Sequence, residues 1–90
     1  MTDPLGVVLI DDQALFRSGV AVGVDAQPDM RVVGQAGDGL EGLDVIARTT
    51  PDVVLLDVRM PIMDGVEMTT RLFAPQWTGP RPRVLSLIHI

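Results

Sequence analysis

Three aspartates close two apolar runs in this 90-residue chain: Asp11 and Asp12 follow Val7-Val8-Leu9-Ile10, and Asp57 follows Val53-Val54-Leu55-Leu56. Carboxylates at the ends of buried strands are suited to two kinds of chemistry. Brought together, they repel one another until a cation neutralises them. Oxygen-only ligands select a hard ion, and a few carboxylates plus water favour Mg²⁺ over a fully caged Ca²⁺. A carboxylate beside such an ion can also attack phosphorus and form an acyl phosphate. A plainer alternative stands beside this one. An aspartate at a strand end is often a helix cap or a solvated loop residue, and Asp12 could cap the helix that follows it.

Whether the three meet depends on the elements that carry them. Both runs are apolar at successive positions, which fits central parallel strands covered on both faces. Gln13 to about Ala26 reads as a helix, with Phe16, Val20 and Gly23 at helical spacing and an end before Pro28. Gly19 and Gly23 each cost about 1 kcal/mol relative to alanine there, implying close packing on the sheet or a weak helix. Arg31–Ala36 is less uniformly apolar and suits a strand nearer the edge. Asp38 can cap a helix from Gly39 to about Arg48 that turns Leu40, Leu43, Ile46 and Ala47 inward. Asp52–Asp57 is the next strand, and Arg59 to Asp64 is a loop containing Pro61. Asp64 can cap a helix from Val66 to about Ala74 that buries Val66, Thr69 and Phe73. A connector from Pro75 to Pro82, in which Trp77 covers a sheet or helix edge, leads to a fourth strand from Arg83 or Val84.

The order βαβαβαβ predicts an α/β domain with a parallel sheet. In open sheets of this kind, ligands bind beyond the carboxyl ends of the strands where the strand order reverses. One common order of this type, 2-1-3-4-5, makes the first and third strands neighbours. Asp11, Asp12 and Asp57 would then converge.

Composition removes several other functions. Seven basic against twelve acidic residues give a net charge of −5, which argues against binding nucleic acid through its phosphates. There is no cysteine and no lysine, so disulfides, thiolate metal sites, Schiff bases and the Gly-Lys phosphate loop are excluded. The acid-flanked start is neither a signal peptide nor a membrane span, and a cytoplasmic location is expected. Gly37-Asp38-Gly39-Leu40-Glu41-Gly42 fits the dinucleotide pattern G-x-G-x-x-G, but its two acids would sit where a pyrophosphate rests. An aspartyl-phosphate hydrolase would need an acid at position 13, which is Gln13. Ser/His/Asp hydrolysis lacks a nucleophile elbow, and the single histidine, His89, reads as a core residue on an apolar strand.

The strings VVLIDDQ, VVGQAGDGLEGL and PDVVLLDVRMPIMDGVE together resemble the receiver domain of two-component response regulators, most closely the subgroup with a LuxR-type helix-turn-helix output domain. The resemblance spans roughly Gly6 to Phe73. It implies a flavodoxin-like three-layer α/β sandwich with parallel order 2-1-3-4-(5), the same order as above and so not a second expectation. It further implies that Asp57 is the phosphoacceptor. Asp11 and Asp12 would hold Mg²⁺ together with Asp57 and the backbone carbonyl of Arg59, while Met60 and Pro61 would shape that loop. The implied partner is a sensor histidine kinase, with homodimerisation on phosphorylation and contact with DNA only through an output domain. A non-phosphorylated interaction module of the same fold, and less readily a Mg²⁺-dependent hydrolase, remain as alternatives.

The resemblance fails near the end of the chain. The family's Ser or Thr after the fourth strand would fall near Ile88, and its Lys after the fifth has no counterpart. The chain is therefore expected to be a receiver cut short, lacking the last strand and last two helices, or else a degenerate one. The terminal LSLIHI is what a transposase-type sequencing adapter encodes in one frame. Residues Leu85 to Ile90 are thus expected to be adapter-derived in part or whole, with an apolar natural strand as the alternative.

Overall fold

The computed structural model describes residues 3–57 and 65–87. Along them run β1 (Leu5–Ile10), α1 (Ala14–Asp25), β2 (Met30–Ala36), α2 (Gly39–Thr49), β3 (Val53–Asp57), α3 (Gly65–Leu72) and β4 (Arg83–Leu87). The strands form one parallel sheet in the order β2-β1-β3-β4. This is the expected flavodoxin-like arrangement, with helices on both faces.

Side-chain alternation divides the core between the two faces. Val8, Ile10, Val54 and Leu56 point to one face, where Leu43, Val45 and Ile46 of α2 and Met68 and Leu72 of α3 cover them. Val7 and Leu9 point to the other and meet Ala21 and Val24 of α1. Strand β1 is buried on both faces and sits inside the sheet. Strand β2, with Arg31 and Gln35 exposed, takes an edge. Its register against β1 shifts between Val7 and Val8, leaving Val33 as the extra residue of a bulge.

The helices present different faces from several of those expected. In α2, Leu43 and Ile46 are buried, but Leu40 is 56% exposed and Ala47 is also outside. In α3, Met68 and Leu72 face the core, while Val66 is 66% and Phe73 50% exposed and Thr69 is only half-buried. The cause lies in Gly42. A Cβ there would stand 2.5 Å from Ile10 Cδ1 and 3.3 Å from Met68 Sδ. The missing side chain makes room for an isoleucine and an unbranched methionine, and that contact sets the rotation of both helices. Gly34 plays the same part under Val45, whose Cγ1 would lie 2.5 Å from its Cβ. Gly19 and Gly23 have nothing within 4 Å, so they mark a weak helix and not a close approach. Accordingly α1 buries Ala21 and Val24, leaving Phe16 exposed and Val20 half-buried.

Local chemistry sets the helix ends. The Asp38 side chain accepts the Glu41 N–H at 2.8 Å and caps α2 as expected. That helix stops at Thr50, which adopts a left-handed conformation (φ 45°), and the following Pro51 disfavours a further right-handed helical residue there. After α3, Trp77 packs on the α2/α3 side of the core, and its indole N–H donates to the Pro80 carbonyl at 2.9 Å. Arg81 donates to the carbonyls of Ala74 and Trp77 and closes the connector. The expected loop from Arg59 to Asp64, the Asp64 cap and His89 lie outside the described residues. Among the described residues, no helix is long and apolar enough to cross a membrane.

Two glycine substitutions should have opposite signs. Gly42→Val is expected to destabilise by about 1–3 kcal/mol through overpacking against Ile10 and Met68. Gly23→Ala, in open space on a helix, should stabilise by roughly 0.5–1 kcal/mol. Urea denaturation of both variants is the check.

Candidate metal centre

The site grows out of the sheet's carboxyl edge. Strand β1 pairs with β3 in the register Ile10 opposite Leu56, so the next residues, Asp11 just past β1 and Asp57 at the end of β3, stand side by side at the carboxyl edge. The Asp11 N–H donates to the Ala36 carbonyl at 3.0 Å, extending the β1/β2 pairing one residue beyond the strand. Asp11 and Asp57 are buried, at 4% and 3% exposure, while Asp12 faces solvent. One carboxylate oxygen from each of Asp11, Asp12 and Asp57 lies within 4.8 Å of the other two. The convergence expected from strand order is present.

Backbone contacts hold the arrangement. Asp11 Oδ1 accepts the Gln13 N–H at 2.8 Å, a local turn that fixes the carboxylate relative to the start of α1. The cap position of α1 is Gln13, whose side chain makes no capping bond. The alternative reading of Asp12 as the cap therefore fails, and Asp12 remains at the mouth of the cluster.

At 4.8 Å, two carboxylates repel by about 3 kcal/mol at an effective dielectric near 20. The fixed Gln13 N–H offsets part of that, and a divalent cation would turn it into attraction. The donor set is oxygen only, two members are buried, and the third opens to solvent, so water could complete a shell that the protein supplies only in part. Those are the requirements of Mg²⁺. The Arg59 carbonyl, expected as a further ligand, lies outside the described residues.

The glycine motif at residues 37–42 has no room for a pyrophosphate. Its helix N-terminus is occupied by the Asp38 carboxylate, and Gly42 is packed against Ile10. Sequence reasoning missed Arg17, whose guanidinium reaches from α1 to the carbonyls of Asp11 and Ala36 and to Gln35 Oε1. One signal was available: Arg17 is the lone basic residue among the first thirty.

Comparison with known proteins agrees with this geometry. The family model described as "Response regulator receiver domain" matches residues 7–87. The transcriptional regulatory protein LiaR of Bacillus subtilis is 46% identical over 66 residues, covering 73% of this chain and 31% of LiaR. A protein-glutamate methylesterase/protein-glutamine glutaminase of Syntrophotalea carbinolica is 44% identical over 87 residues, covering 97% of this chain and 24% of that protein. Among solved structures, a LuxR-family two-component response regulator from Aurantimonas sp. SI85-9A1 superposes with a TM-score of 0.84 at 30% identity, covering 98% of this chain and 61% of that one. CheY6 of R. sphaeroides, solved with the P1 domain of CheA3, gives 0.79 at 33% identity, covering 99% and 67%. The chain thus spans under a third of the length of these curated relatives.

Asp11→Asn removes one buried charge while keeping an oxygen for the Gln13 N–H. In metal-free buffer it is expected to stabilise the protein by about 1–3 kcal/mol. Added Mg²⁺ should raise the melting temperature of the wild type and not that of the variant.

Proposed function

The chain belongs to the family of response regulator receiver domains, and from that premise we propose that it is a phosphorylation switch in which Asp57 accepts a phosphoryl group from a sensor histidine kinase. The observation that supports this is the convergence of Asp57 with Asp11 and Asp12 within 4.8 Å at the carboxyl edge of the sheet. Receiver domains bind Mg²⁺ at an acidic pocket. Here the carboxylates of Asp11, Asp12 and Asp57 and the backbone carbonyl of Arg59 would hold it. When bound, the ion supplies positive charge that offsets the oxygens of the incoming phosphoryl group.

The chain's own residues do the rest. An Asp57 carboxylate oxygen forms the new P–O bond as the P–N bond to the donor imidazole breaks, and the departing imidazole takes up a proton from water. Asp11 and Asp12 supply the other carboxylate oxygens at the metal end of the site. Burial of Asp57 limits the access of water to the acyl phosphate once formed.

Receiver domains interact with histidine kinases, as in the solved CheA3 P1–CheY6 complex, and this supports a kinase as the donor here. LiaR and the LuxR-family neighbour favour transcriptional output. Contact with DNA is accordingly proposed only through an output domain distinct from these residues. The methylesterase relatives match over their receiver part, which brings no enzyme activity to this chain. Homodimerisation on phosphorylation and a cytoplasmic location, where kinases draw on ATP, belong to the same reading.

Incubation with Mg²⁺ and a small acyl phosphate is expected to add one phosphoryl group by intact mass. The gain should disappear with a chelator and in Asp57→Asn. Absence of labelling in the wild type would leave the fold as an interaction module and overturn the switch.

A further inference from the structure

We propose that Arg17 is the positioning residue of the aspartate cluster, its guanidinium tying the ends of β1 and β2 together and fixing the Asp11–Asp12 peptide from which two of the three carboxylates project. The inference rests on the metal-binding reading given above.

Four contacts carry it. Arg17 Nη1 donates to the carbonyl of Asp11 and, at 3.3 Å, to that of Ala36. Its Nε donates to Gln35 Oε1 at 3.2 Å, and its backbone N–H donates to the Gln13 carbonyl at 2.9 Å. One residue thereby joins the first turn of α1 to the residue that follows β1 and to the last two of β2. The Asp11 carbonyl belongs to the peptide that continues into Asp12, so rotating that peptide would carry the Asp12 carboxylate away from Asp57. The bond from Arg17 opposes the rotation. Arg17 lies with Leu9, Phe16, Val20 and Leu55 around a small gap, and such apolar neighbours suit an arginine stem whose head group reaches polar partners. A planar fork can hold two carbonyls and a side-chain amide at once, whereas an ammonium group cannot reproduce that set.

Electrostatics alone predicts the opposite effect on metal affinity. A cation beside a cation site weakens binding, so neutralising Arg17 should tighten Mg²⁺ if charge were all that mattered. If position matters more, the same substitution should loosen it.

Isothermal titration of the purified protein with MgCl₂ separates the two. Arg17→Met and Arg17→Lys are each expected to weaken Mg²⁺ about ten-fold, the loss typical when the support of a metal ligand is removed. Arg48→Met, which breaks only the exposed pair with Asp44, should leave the affinity unchanged. Should Arg17→Met fail to fold by circular dichroism, Arg17→Lys decides, since it keeps the charge and loses the fork. Binding by either Arg17 variant as tight as or tighter than wild type would overturn the proposal. A wild type that binds no Mg²⁺ would instead remove the metal reading, and this inference with it.

Discussion

Everything at the functional end depends on one register: Ile10 opposite Leu56 in the parallel pair β1·β3. A parallel ladder advances both strands in the same direction, so residues one step past that pair emerge together. Burial on both faces makes the register hard to change, because a slip of one residue would exchange the two sides of β1. The energy that positions two like charges side by side therefore comes from aliphatic packing several residues away. The charges take their places from that register.

The same packing explains which parts of the molecule could be read in advance. Strand positions were legible because two-sided burial leaves a plain trace, an unbroken β-branched run, and because the aspartates and Pro51 mark where the runs stop. The parallel sheet followed from the alternation of elements, whereas its order, and with it the convergence, came from one common order that the family shares. Helix rotation was not legible. Leu40, Val66 and Phe73 are large and apolar at helical spacing, yet they lie outside, because Gly34 and Gly42 draw α2 and α3 into an orientation that favours Val45 and Met68. A periodicity argument counts side chains and gives no weight to a missing one.

The candidate site shows a similar division. Its three carboxylates were identifiable from residue type and position, since like charges closing two central strands leave few structural roles to fill. Arg17 was not, because its part is played through backbone carbonyls, and acceptors of that kind exist at every residue and leave no mark in a sequence. Its standing as the lone basic residue among the first thirty was the only trace.

Helix α1 has another side. It buries two residues, Ala21 and Val24, lacks a capping side chain and an acid in its first turn, and carries two glycines without packing partners. Its counterpart α2 has a side-chain cap, an acid in its first turn and the fuller half of the core. Local opening should consequently begin at α1, at a free energy well below that of global unfolding. Since Gln13 and Arg17 belong to this helix, each opening would release the turn that carries Asp11 and Asp12. Amide exchange in α1 and the lifetime of the assembled cluster are, on this structure, two readings of a single equilibrium.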